Sequence, residues 1–102
     1  MTFYEECQRL RNFYSLTNPN DLELTILSKL VSISFYNNYS KNCLDTLPIC
    51  KDITLDCSDL KVTYFEIEKS LSKILKDLDY YHFSITPVNP FGVTHKIVFK
   101  IM

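Results

Sequence analysis

Few residues in this chain can do chemistry, and their spacing sorts them. Four cysteines stand at Cys7, Cys43, Cys50 and Cys57. The even gaps between the last three invite a metal site, completed by His82 or His95. Zinc-binding cysteine pairs usually sit about two to four residues apart, because one tight turn must aim two thiolates at one ion. That turn is missing here. The cysteines are therefore expected to be small buried hydrophobes, with no metal, disulfide or cofactor. His82 and His95 lie on what read as adjacent strands and could form an acid–base pair. No nucleophile or carboxylate is spaced to complete such a site, so ordinary surface histidines are the expectation. There is no Gly-rich phosphate loop, no G-x-S-x-G elbow and no H-E-x-x-H helix. With one glycine, there is little material for a mobile lid. No catalytic residue is assigned, and the chain is not expected to be an enzyme.

Positive charge is what remains. Lys69, Lys73 and Lys76 recur at i, i+4 and i+7, and Lys61 lies just upstream. His95, Lys96 and Lys100 follow near the C-terminus. Lysines at helical spacing can neutralise phosphates along one side of a groove, giving a salt-dependent affinity. Tyr64 and Phe91 are the aromatic candidates for base contact. Phe91, in a loop with two prolines, would suit stacking on an unpaired base. Glu66, Glu68, Asp77 and Asp79 dilute the stripe. It also lacks the Arg, Asn or Gln that bidentate base readout uses. A merely solvated helix face is the plain alternative for the lysines. A ring folded back onto its own hairpin is the alternative for Phe91.

The elements that must hold these residues follow from periodicity. A helix is expected over 2–15, with Phe3, Cys7, Leu10 and Tyr14 on one stripe and Phe13 beside it. The turn Thr17-Asn-Pro-Asn20 leads to a second helix over about 21–36. Leu24, Leu27, Val31 and Phe35 make one of its ridges, and Ile26, Leu30 and Ile33 another. Its far end, 31–36, also alternates like a strand, and 37–42 reads as a polar break. A short helix near 45–50 and a short strand at 53–57 compete in the next segment, which Pro48 interrupts. Thr63 and Glu66 form an S/T-x-x-E capping box, with Val62 ahead as a staple residue. The helix they open runs to about Leu78 and buries Tyr64, Ile67, Leu71, Ile74, Leu75 and Leu78. Alternation then predicts an antiparallel hairpin at about 80–87 and 94–101. Ile67, Leu71, Ile74, Phe83, Ile85, Ile97 and Phe99 are expected to be buried together.

At 102 residues the chain is expected to form one domain, 1–102. Hydrophobic residues make up 46% and charged residues 23%, a folded composition rather than a disordered one. A net charge of −1 exerts no global pull on nucleic acid, so such binding must be local. No apolar run reaches the roughly 18 residues of a membrane span. The N-terminal run, Met-Thr-Phe-Tyr-Glu-Glu-Cys, has no signal-peptide core, which points to a cytoplasmic location with reduced thiols. Ala is absent, and Lys outnumbers Arg nine to two. The pattern suits AT-rich codons, as in a mobile element, a phage or a large DNA virus.

The order helix, helix, irregular segment, capped helix and hairpin resembles a winged helix-turn-helix domain. Residues Val62–Leu78 and the hairpin after them carry the resemblance. It implies a small α+β winged-helix-like domain of three or more helices followed by a C-terminal antiparallel β-hairpin. It also implies a nucleic-acid-binding protein, with DNA or single-stranded nucleic acid as partner, acting in replication, transcription or partition. Its contact residues would be Lys61, Tyr64, Lys69, Lys73, Lys76, Phe91, His95, Lys96 and Lys100. Winged helices often dimerise, and the aromatic first helix, with Phe3, Tyr4, Phe13 and Tyr14, is where a homodimer contact is expected. A second class fits the same composition: a non-enzymatic module that binds a host protein through exposed tyrosines such as Tyr36, Tyr39 and Tyr80.

Overall fold

In the computed structural model the fold is α+β, with three helices and a three-stranded antiparallel sheet among the described residues. Those residues are 3–17, 21–41, 52–88 and 96–102, with 21 and 34–41 described by backbone alone. The chain forms two compact units, Met1–Leu47 and Pro48–Met102. No helix among the described residues is long and apolar enough to cross a membrane.

The first unit is helical. Helix α1 spans Phe3–Thr17 and helix α2 spans Asp21–Lys41, and the two pack together across the short connection 18–20. From α1, Phe3, Cys7 and Tyr14 are buried, on the expected stripe, while Leu10 is only half-buried. Phe13 lies outside the stripe and is exposed. From α2, Ile26, Leu27, Leu30 and Val31 are buried, drawn from both predicted ridges. Helix α2 overruns its expected end: residues 37–41 are helical, not a polar break. Asn, Ser and Tyr are mediocre helix formers but not breakers, and no Gly or Pro stops the run. At the end of α1, the Ser15 hydroxyl donates to the Asn12 carbonyl and the Thr17 hydroxyl to the Phe13 carbonyl, each at 2.8 Å. These are back-bonds from hydroxyls to the carbonyls of the preceding turn, the local bonding that Ser and Thr make within a helix.

The second unit is built as strand, helix, strand, strand. Strand β1 is Asp52–Asp56, helix α3 is Tyr64–Asp77, β2 is Phe83–Pro87 and β3 is Lys96–Ile101. The sheet order is β1-β3-β2, with β3 antiparallel to both neighbours. Strands β1 and β2 therefore run parallel, with β3 between them and α3 as the crossover, a split β-α-β arrangement. Alternation fixes the register. Ile97, Phe99 and Ile101 are buried, and Phe99 faces Ile53 on one side and Ile85 on the other. Ile67, Leu71, Ile74 and Leu75 are the buried side of α3, and these two apolar faces make the core of the unit. Phe83 and Ile85 point the same way but are only half-buried, unlike Ile53 and Leu55 on the other edge strand, β1, so the core lies toward the β1 side of the sheet. The predicted strand start at 80 is also too early: 80–82 are not strand, and Tyr81 is exposed.

Local chemistry sets both ends of α3. Glu66 N–H donates to the Thr63 hydroxyl at 3.4 Å, and Thr63 N–H donates to the Glu66 carboxylate at 3.2 Å, the two halves of the capping box. At the far end Tyr80 N–H reaches the Leu75 carbonyl and Asp79 N–H the Lys76 carbonyl, both at 2.9 Å. Asp79 takes the left-handed conformation, φ 68°, that this Schellman ending requires, a place usually given to Gly. The edge of β2 is closed as well. Val88 N–H donates to the Lys96 carbonyl and Met102 N–H to the His82 carbonyl, so the even-numbered residues of β2 bond toward β3. Ile85 and Pro87 then turn their backbone groups to the free edge. There the Tyr64 hydroxyl donates to the Ile85 carbonyl at 2.8 Å, and Pro87 has no N–H to offer. Both features discourage a further strand from adding there.

Candidate nucleic-acid interface

The sequence-predicted contact residues fall on separate surfaces. Lys69, Lys73 and Lys76 are all exposed, on the side of α3 opposite Ile67, Leu71 and Ile74. Helical phase groups them: at about 100° per residue, positions 69, 73 and 76 lie within roughly 60° of one another. Glu66 and Asp77 are displaced toward one flank of this stripe and Glu68 toward the other. The acidic residues that dilute the stripe in sequence therefore border it in space. Lys61 is exposed, with φ 53°, between the turn at 58–60 and the Thr63 cap.

Lys96 and Lys100 are elsewhere. They sit on β3 in alternation with the buried Ile97, Phe99 and Ile101, so they belong to the outer face of the sheet, away from α3. Their cross-strand partners in register are acidic: Asp56 is opposite Lys96, and Asp52 is opposite Lys100. Ser84 faces Lys100 from the other side, and Thr54 and Thr86 flank Val98. The sheet face sets its lysines opposite aspartates across strands, whereas on α3 the carboxylates stand beside the lysines, with Asp77 four residues after Lys73 and Glu66 three before Lys69. Phe91 and His95 lie outside the described residues, so the predicted wing tip and the histidine pair have no described geometry. His82 is exposed.

Tyr64, at the first turn of α3, is held against the sheet. Its hydroxyl is tied to β2 through Ile85, and the residue is half-buried. Burial, then the hydrogen bond and charge of Glu68, raise its pKa above the ordinary tyrosine value. Because the protonated form is the one the fold favours, the associated stability is present below the ordinary value and lost as pH rises through the raised one. The aromatic residue that the sequence reading missed is the next one along. Phe65 is 77% exposed and sits at the head of the lysine stripe. Phase was the signal: it lies about 160° around the helix from Ile67, far outside the buried face.

Of the four cysteines, Cys43 and Cys50 lie outside the described residues. Cys7 and Cys57 are buried and are not joined in a disulfide. Burial, and secondarily the neighbouring charge of Glu6, pushes the Cys7 pKa up to about 12, which leaves it protonated and unreactive at neutral pH. Among the described residues no group of three or more His, Cys, Asp or Glu is placed to hold a metal ion. Comparison of the chain with family models, curated proteins and solved structures finds no match.

Proposed function

We propose that this chain is a small, non-enzymatic nucleic-acid-binding protein that presents the outer face of α3 to a phosphate backbone. One observation carries the reading: Lys69, Lys73 and Lys76 share an exposed helix face whose acidic neighbours are turned to its flanks. Lysines act as point charges, so affinity comes from phosphates and little sequence is read. The winged-helix interpretation belongs to the same proposal, with α3 as the recognition helix and the β2–β3 hairpin as the wing. A capped helix passing within a few residues into an antiparallel hairpin supports it. Strand β1 and the turn at 58–60 occupy the chain just before α3, so the helix of a conventional helix-turn-helix does not come from residues 52–63. The expected setting is the cytoplasm, in replication, transcription or partition of a mobile element, phage or virus with an AT-rich genome.

A second reading has its own observation. On α1, Phe13 is 57% and Leu16 85% exposed, which suits a protein contact, either a second copy or a host factor. Phe3 and Tyr14 are buried, so such a contact would centre on Phe13 and Leu16.

The test is fluorescence anisotropy of labelled single-stranded and duplex oligonucleotides at about 50 mM salt, repeated as salt is raised. Binding that weakens log-linearly with salt is the expected result. No binding at the lowest salt would remove the nucleic-acid reading and leave the protein contact on α1.

A further inference from the structure

One aromatic residue of α3 is left unused by the fold. Ile67, Leu71, Ile74 and Leu75 are all fully buried, yet Phe65 is 77% exposed. At about 100° and 1.5 Å per residue, Lys69 and Lys76 fall within roughly 40° of Phe65, about 6 Å and 16 Å along the axis. The ring and the two ammonium groups therefore share one line on the surface. Phe65 is also braced. Its ring packs beside that of Tyr64, with centroids 5.8 Å apart at 56°, and Tyr64 is anchored to β2 through Ile85.

Building on the nucleic-acid reading above, we propose that this site takes single strands, with the Phe65 ring stacked on an unpaired base and Lys69 and Lys76 holding the flanking phosphates. The chemistry of the line defines the occupant. Ammonium groups call for an anion, and an exposed ring beside them calls for a planar apolar face. A single-stranded polynucleotide offers both in a repeating arrangement. In a duplex the base faces are already stacked on one another, and the ring would meet only sugar and phosphate. Phenylalanine has no donor or acceptor with which to read a base edge, so the stacking tolerates any sequence.

The chain has no Trp, so Phe65→Trp creates a single tryptophan reporter at the proposed contact. It is titrated with oligo-dT, oligo-U and a blunt duplex at matched phosphate concentration and about 50 mM salt, where phosphate contacts are strongest. Saturable quenching by either single strand, and none by the duplex, is expected. In parallel, Phe65→Ala is expected to weaken single-strand binding about tenfold, with duplex binding and circular dichroism unchanged. Equal quenching by single strands and duplex, or wild-type single-strand affinity in Phe65→Ala, overturns the stacking proposal while the phosphate reading stands. Failure of the wild-type protein to bind any of the three overturns both.

Discussion

Lysines occupy both outer surfaces of the second unit, and the two surfaces treat them differently. On α3, a four-residue spacing places Lys69 and Lys73 on one face, and Lys76 joins them three residues later. On β3, Lys96 and Lys100 also share a face, but the neighbouring strand sets an aspartate opposite each. Cross-strand pairs of opposite charge contribute roughly 0.2–1 kcal/mol each to a sheet. The β3 lysines therefore face carboxylates across the sheet, while Lys69 and Lys76 lie on the exposed face of a helix. A count of basic residues along the chain cannot separate these cases. Register across the sheet can, because it decides which charges meet.

The contrast can be broken by removing the layer that separates the two faces. Phe99 is fully buried at the centre of the sheet, between Ile53 and Ile85. Phe99→Ala should cost about 3–5 kcal/mol, much of the stability available to so small a unit. Urea unfolding followed by circular dichroism would register this as a large fall in midpoint. A negligible change would mean that the core is not where the register places it. Thr63→Ala acts on the helix face alone. It removes one half of the capping box and should cost about 1 kcal/mol. The same measurement would read it, and Thr63→Ser should restore most of the loss. Smallest is the effect that separates the lysines directly. Lys100→Glu sets two carboxylates opposite each other and should destabilise by about 0.5 kcal/mol. Lys69→Glu should leave the unfolding midpoint within error. Equal effects of the two substitutions would erase the distinction between the faces.

Local features were readable in the sequence, and non-local ones were not. The Thr63–Glu66 box and the Ile97, Phe99 and Ile101 alternation each depend on a few consecutive residues, and both occur as expected. Strand β1 was visible as a short alternating run. Its pairing with β3, forty or more residues away, was not, and that pairing sets Asp56 opposite Lys96 and Asp52 opposite Lys100. The end of α2 was misread because the alternation over 31–36 fits a strand as well as a helix, and the polar residues after it permit helix without demanding it. Phe83 and Ile85 were placed on the correct face but are half-buried, while Ile53 and Leu55 on the opposite edge are buried, and which edge is covered is a property of the assembled unit that alternation does not carry. The choice between Tyr64 and Phe65 was legible in principle. Helical phase turns the first toward the core side and the second outward, and only the hydrogen bond to Ile85 needed the tertiary structure.

The claim that α3, and not the sheet, is the binding face is tested most directly by two double variants of identical net charge. Lys69→Glu/Lys76→Glu reverses charge on the helix, and Lys96→Glu/Lys100→Glu reverses it on the sheet. Their affinities for a single-stranded oligonucleotide are measured by anisotropy across a salt series beginning near 50 mM. The helix variant should lose at least tenfold in affinity, with a salt dependence shallower by about 1.4 in log–log slope for two lost phosphate contacts. The sheet variant, still folded by circular dichroism, should bind with nearly the wild-type slope. Equal losses in both variants, or a greater loss in the sheet variant, would contradict the assignment.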